Sequence, residues 1–576
     1  MPRLAHFNRA ARHTAGRPVH SPVHSACTPK RRLYSTSRSS ASPALGSVKE
    51  FAFLLCSHRA HCWFHPLSFV MPHTQELDLE KNSANSYVQF DTDVPVEYEN
   101  GDTWYARAQR WAEKNYMEPR SIERVPEDER HDTSIINVCT MWLSPNMVMG
   151  HFAVGILGKA IYGMGVVDSM LVILFANLLG VLPVCFFSCF GPVFGLRQMI
   201  LGRFWFGSYG IRVVSAIACV SGLGWATVNV IVGAELIYAV NTDVPGWAGI
   251  IIIAFCTFLI TLFGYKVVHY YERYSWIPNF IVYLILLGTF IHSGAYVHIP
   301  MGTGSAEVSG VLSFFSVVFG TAISWSSMAA DYTVYHPPTD SKRKIFLATW
   351  LGLIFPSVFT EWISVIVMSA TGLDPDATDN IYLNGYNDSG AGGLIGAVLI
   401  PHLGDFGRFC LVIMALSTVA NNCPNVYSFT LNVKVIGRWT RVVPRFIWAL
   451  IGAIVYAVIA IEGYAHFESV LNNFMNFIAY WATIYVSVAL TDHFVFRRGF
   501  SGYNVDDYDT KSKLPIGFAA IFSFLCGCAG VALGMSQTWF AGPLASHGDI
   551  GFELGCIFTV VAMLISRPLE LHFFKR

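Results

Sequence analysis

Residues 144–158 read SPNMVMGHFAVGILG and residues 320–327 read GTAISWSS. Both sit inside apolar runs, 136–158 and 308–330, of about the 20 residues a helix needs to cross a bilayer. Both carry too many small and polar residues for a helix that faces only lipid. Pro145 and the glycines at 150, 155 and 158 interrupt the first run, and Gly320, Ser324, Ser326 and Ser327 loosen the second. In chain order these are the first and sixth apolar segments, five apart. That spacing is what a five-plus-five inverted repeat with discontinuous helices 1 and 6 requires, and such repeats hold substrate where the broken helices face each other at mid-membrane. Close packing of helices through small residues is the other reading of the glycines, and it needs no substrate.

Outward from these two runs, ten further apolar segments follow the same length rule, at 166–190, 211–238, 246–265, 277–297, 345–370, 405–430, 445–462, 468–490, 514–535 and 551–569. In lipid each backbone amide must be satisfied within its own segment, so the runs are helices. The expected fold is all-α and integral to the membrane, with twelve transmembrane helices, the last two lying outside the repeat. Charge placement agrees. The loops expected on the cytosolic side carry Arg197 and Arg203; Lys266 and Arg273; Lys342, Arg343 and Lys344; Lys434, Arg438 and Arg441; and Arg497, Arg498, Lys511 and Lys513. The expected external loops at 239–247, 298–307, 371–395, 462–467 and 536–550 have no Lys or Arg, and Lys159 alone breaks the pattern. Asn387-Asp388-Ser389, a glycosylation sequon, falls in one of those external loops. Both termini are therefore expected in the cytosol.

Composition sets the class. Hydrophobic residues make up 53% and charged ones 13%, too little polar surface for a soluble domain. The bilayer is the partner this composition demands. The formal net charge is zero, which leaves no electrostatic case for nucleic acid. The thirteen cysteines are scattered; Cys185/Cys189 and Cys526/Cys528 lack the spacing of a metal or redox motif, so no metal is expected.

Four stretches divide the chain: 1–70, a cytosolic tail at 71–133, a transmembrane domain at 134–570 and a short tail at 571–576. The first holds nine basic residues before its first acid, Glu50, among Ser, His and Pro, the makeup of a mitochondrial transit peptide. A disordered extension, or a gene model begun upstream of the true start, fits better, because Met71 opens the acidic, polar stretch of a cytosolic tail. Cys56, His58, His61, Cys62 and His65 form a loose tract with no compact frame for a metal. A short amphipathic helix is expected at 104–115.

Polar groups inside the apolar segments mark a candidate site. Trp225 and Asn229 are four apart in the third segment and share a face. Asn421, Asn422 and Asn425 surround Pro424 in the eighth. An amide in hydrocarbon is costly unless something bonds to it. Caps on the carbonyls that Pro424 frees would account for some of these amides, though three exceed what one break needs. Trp225 and Trp325 offer faces for a planar ring, and carboxamides match the adjacent donors and acceptors on a nucleobase edge. With no fixed charge facing the pocket, a small neutral heterocycle is the expected substrate.

At these residues a resemblance becomes specific. Trp142-Leu143-Ser144 with Phe152, Gly155, Leu157 and Gly158; Gly195-Leu196-Arg197-Gln198; Gly224-Trp225 with Val228-Asn229; Phe263-Gly264-Tyr265; Trp276 with Pro278-Asn279-Phe280; Ala330-Asp331-Tyr332-Thr333; and Asn421-Asn422 with Pro424-Asn425, Tyr427 and Ser428 together resemble a fungal purine-cytosine permease of the nucleobase–cation symporter family. The resemblance runs from about residue 100 to the C-terminus. It implies a proton-coupled importer of cytosine, adenine, hypoxanthine and guanine at the plasma membrane, with the co-transported proton in place of any cofactor. By position it implies that Asn229 and Asn425 are the main polar contacts, Trp225 and Trp325 an aromatic clamp, and Asn421, Asn422 and Pro424 the elements that tune affinity. His151 departs from the small hydroxyl residue of family members; it could alter the substrate range, take part in proton coupling or face away from the pocket. Glu235, Glu361 and His151 are the candidates for proton coupling, since an ionisable group in the membrane is a functional hypothesis by default. Asp331 is expected to be structural. Rival readings are a same-fold carrier of vitamin B6, thiamine or another heterocycle, and a nutrient receptor without net transport. An enzyme is disfavoured, because the membrane portion has no paired His motif and no nucleophile–base pair.

Overall fold

The computed structural model describes residues 122–576 and, before them, the helical Arg107, Arg110 and Lys114 of the expected 104–115 helix. The 1–70 stretch with its Cys/His tract, and most of the 71–133 tail, lie outside the described residues. The end of that tail is docked. Val125 is fully buried and donates its backbone N–H to Gly195 O, while Arg130 donates to Val125 O and Pro192 O.

The chain then runs as helices, as it must where no water is present to satisfy the backbone. They are α1 (Ile135–Asn146), α2 (Met149–Ala160), α3 (Val166–Ser188), α4 (Arg203–Val240), α5 (Gly246–Leu262), α6 (Tyr265–Tyr274), α7 (Trp276–Ser293), α8 (Gly304–Ile323), α9 (Lys342–Met368), α10 (Ile381–Leu403), α11 (Asp405–Ile436), α12 (Arg445–Gly463), α13 (Phe467–Thr491), α14 (Phe518–Gly534) and α15 (Gly551–Phe574). Ser134 Oγ caps α1 by accepting from Asn137 N (3.3 Å), and Asp168 in the first turn of α3 accepts from Gly165 N (2.9 Å). Large apolar side chains such as Phe255 on α5 and Ile454 on α12 point outward, the surface a lipid-facing helix presents.

All twelve expected segments fall on helix, yet length and composition count differently. Among the described residues eight helical stretches are long and apolar enough to cross a membrane. At ~1.5 Å per residue the 17-residue α5 and α14 fall short of a ~30 Å core, α1 and α2 split the first segment, and 445–496 carries the ninth and tenth as one stretch with only a 3-10 turn at Tyr464–His466 between them. The expected external loop 371–395 is corrected: from Ile381 it is the helix α10, kinked at Ser389 and Gly390, and it holds Asn387. The expected C-terminal tail at 571–576 is mostly helical, since α15 continues to Phe574.

The helix contacts carry the repeat. The first segment (α1, α2) packs on the seventh (α9), and the sixth (α8) packs on the second (α3). The fifth (α7, with α6 leading into it) meets the first as the tenth (α13) meets the sixth. The third and fourth (α4, α5) pair as the eighth and ninth (α11, α12) do. Each contact becomes its partner when every segment is exchanged for its counterpart five along or five back, as a five-plus-five repeat requires. α14 and α15 pack on each other outside it.

Candidate functional site

Both expected breaks are present. α1 ends at Asn146 and α2 begins at Met149, with Val148 extended (φ −135°, ψ 166°). α8 tightens into a 3-10 turn at Ser324–Ser327 and breaks at Met328 (φ −141°, ψ 8°). The last carbonyls of a helix lack partners within it, and here Pro145 O is taken by a side chain of another helix. Trp142 O accepts from Asn146 Nδ2 (2.6 Å), and Pro145 O accepts from Asn421 Nδ2 (2.6 Å).

Asn421 is the hub of an amide cluster. Its Oδ1 accepts from Asn229 Nδ2 of α4 (2.7 Å) and from Asn425 Nδ2 one turn along α11 (2.9 Å). Asn229 Nδ2 also donates to Trp225 O (2.8 Å), and Asn425 Nδ2 to Asn421 O (2.8 Å). The amide nitrogens thus all donate inside the cluster. Left over, buried and without a hydrogen-bond partner among the described residues, are two acceptors, Asn229 Oδ1 and Asn425 Oδ1, and one donor, Trp225 Nε1. None of Trp225, Asn229, Trp325, Asn421 and Asn425 is more than 4% exposed, so the site is closed.

The remaining candidates divide. Trp325 donates from Nε1 to Asn146 Oδ1 (3.1 Å) and lies edge-on to Trp142 (5.6 Å, 76°). Trp225 lies edge-on to Phe474 (6.0 Å), and among the described residues no ring contact joins the two indoles of the expected clamp. Pro424 O accepts from Tyr332 OH (2.8 Å), which ties the end of the sixth segment to α11. Asn422 stands apart from the other amides, with its Nδ2 3.5 Å from Thr257 Oγ1 on α5.

The three ionisable candidates also part company. His151 Nδ1 lies 2.9 Å from Glu361 Oε1 of α9, and Asn177 Nδ2 of α3 donates to the other carboxylate oxygen (2.7 Å). Glu235 is elsewhere, against the backbone amides of Ala391 and Gly392. With Tyr386, Asn387 and Glu468 it lines a cavity of about 600 Å³ at the kink of α10. Asp331 accepts from Gln198 N (2.8 Å) and Ser428 Oγ (3.0 Å). Among the described residues no group of three His, Cys, Asp or Glu side chains could hold a metal ion.

Residues 124–548 match the family described as permease for cytosine/purines, uracil, thiamine, allantoin. A purine-cytosine permease of Emericella nidulans is 55% identical over 512 residues, covering 87% of this chain and 99% of that one. The chain belongs to the cytosine–purine permease family. A second purine-cytosine permease, from Saccharomyces cerevisiae, is 41% identical over 80% of this chain and 88% of its own length. The fold resembles that of Mhp1, a nucleobase-cation-symport-1 family transporter solved closed with bromovinylhydantoin bound. The TM-score is 0.61 at 15% identity, covering 79% of this chain and 96% of that one.

Several contacts in this permease escape a reading of its sequence. In the sequence Asn146 is only one residue of a helix break, yet it holds Trp325. Asn177 is a lone amide in the apolar run of α3, a signal of the same kind as Asn229 but without a tryptophan one turn away to single it out. The stretches 195–198 and 330–333, far apart along the chain, meet through Asp331 and through Ala330 N donating to Gln198 Oε1 (3.2 Å).

Proposed function

We propose that this permease imports cytosine and purine bases (adenine, hypoxanthine, guanine) across the plasma membrane by alternating access, in symport with a proton and with both termini in the cytosol. One observation carries the reading: two carbonyl acceptors and one indole donor are buried and unpaired on residues of the amide cluster and its neighbour Trp225, where the broken first segment abuts α4 and α11. A buried polar group without a partner costs about 1–3 kcal/mol, so three together are a standing cost that a ligand would relieve. Two acceptors and one donor complement a ring edge that presents N–H groups beside a ring nitrogen or carbonyl, as nucleobases do. Among the described residues no charged side chain bonds to the cluster, which suits a neutral base. The similar permeases of Emericella nidulans and Saccharomyces cerevisiae support the same substrate class, and the basic residues in alternate loops support the orientation. The vitamin B6 reading requires His151 to reshape the pocket, and His151 is engaged with Glu361 instead.

The test is uptake of radiolabelled cytosine in cells lacking their own permease, competed with adenine and with pyridoxine. Cytosine uptake blocked by adenine and untouched by pyridoxine is expected. Asn425→Ala, which deletes an orphan acceptor and a donor to Asn421, should abolish uptake while surface expression stays intact. Normal uptake by that variant would reject the site.

A further inference from the structure

His151, Glu361 and Asn177 form a second polar site, one helix face away from the amide cluster. All three side chains are at most 1% exposed. They come from α2, α9 and α3, so the site bridges the second half of a broken helix and two helices packed against it. The fit is close, because a Cβ added at Gly155, one turn beyond His151, would lie 2.6 Å from Glu361 O. The other ionisable groups on helices around the pair are occupied elsewhere. Asp168 caps the start of α3, Lys159 bonds Thr371, Tyr283 donates to Met149 Sδ, and Glu235 lines the cavity at the α10 kink. Among the described residues neither His151 nor Glu361 has another ionic partner.

Two orphan atoms belong to this site: His151 Nε2 and Asn177 Oδ1 are buried without a hydrogen-bond partner among the described residues. With Nδ1–H donated to the carboxylate, the imidazole is neutral, Nε2 carries a bare lone pair and the pair as a whole is charged −1. Adding one proton at Nε2 makes an imidazolium facing a carboxylate, and the pair becomes neutral. No other bond is made or broken. A lone buried carboxylate is far costlier than a neutral pair, so closing these helices over the site favours the protonated form.

Resting on the transport reading above, we propose that Nε2 of His151 takes up the co-transported proton, with Glu361 as its charge partner and Asn177 as the residue that positions the carboxylate. Base and proton then act on the same short segment. Gly150 abuts Asn229 Oδ1 of the base cluster, and the next residue, His151, abuts Glu361. The first turn of α2 can close on both ligands together.

The purified full chain, reconstituted in vesicles with a pH dye trapped inside, gives the number of protons entering per labelled cytosine. The wild type should carry about one proton per base, and His151→Gln and Glu361→Gln should move cytosine with none and with a flat dependence on external pH. Because the readout is a ratio, a slower variant still reports. Either variant keeping about one proton per base would overturn the proposal. If neither variant folds, the wild type still decides: it should show cytosine-driven proton entry that strengthens as the outside is acidified, and cytosine entry without protons would overturn the assignment. Wild-type vesicles that move no cytosine at all would instead refute the transport reading.

Discussion

Each carboxamide offers two donors on its nitrogen and an oxygen with two lone pairs, and the three amides of the cluster spend their nitrogens on one another and on backbone. That arrangement leaves the oxygens of Asn229 and Asn425 without a partner inside the closed site. Gly150 belongs to the same geometry. A Cβ there would sit 2.9 Å from Asn229 Oδ1, so Gly150→Ala must push that oxygen away or cover it. Helical alanine is otherwise benign, so the helix should persist while one contact to the base weakens. We expect the apparent KM for cytosine to rise about tenfold, equivalent to about 1.4 kcal/mol, with surface expression unchanged. An unaltered KM would mean that Asn229 Oδ1 does not touch substrate. The amides themselves are legible in the sequence, because polar groups in apolar runs stand out without any structure. What the composition of 421–425 hides is helix phase: residues four apart share a face, and Asn422 is turned about 100° from Asn421 toward α5.

Among the elements, the breaks in the first and sixth segments announce themselves through Pro145, Gly150 and the run of small residues at 320–327. α10 does not. Its sequence holds Gly385, Ser389, Gly390, Gly392 and Gly393, a composition that reads as loop by intrinsic propensity. Tertiary contacts override it. Asn380 caps the start by accepting from Tyr382 N (2.9 Å) and Leu383 N (3.1 Å), and the glycines let its second half lie directly on α4. Gly390, with φ +55°, turns the kink, and Gly392 is the point of closest approach, where a Cβ would meet the backbone of Glu235 at 2.5 Å. Gly392→Val should therefore lift α10 from α4 at a cost of about 1–3 kcal/mol. The expected result is a lower melting temperature of the purified protein and reduced cytosine uptake, although no residue of the amide cluster has changed. A variant that melts and transports as the wild type does would show that α10 tolerates separation from α4.

At the scale of the whole molecule, apolar length marks the segments that fold as helices, but it does not reveal which helices abut. The pairing of the first segment with the seventh, and of the sixth with the second, arises from tertiary packing that no local pattern encodes. The same is true of how the last two helices are held. Asp492, fully buried at the end of α13, accepts from Arg497 Nε and faces Arg567 Nε of α15 at 3.3 Å. Arg567 in turn lies 3.4 Å from Glu570, whose carboxylate accepts from the backbone of Gly517 and Ala519 at the start of α14 (2.9 Å each). Two carboxylates thus face two guanidiniums, and the series Asp492–Arg567–Glu570 joins the repeat to both extra helices. Asp492→Ala would leave those cations without their shared partner, and breaking a buried pair from one side costs about 3–5 kcal/mol. The melting temperature should fall markedly, while the apparent KM for cytosine in the molecules that remain folded stays at the wild-type value, because the amide cluster lies on α1, α4 and α11. Should KM shift together with stability, the extra helices would have to act on the base site, and their position outside the repeat would no longer separate them from transport.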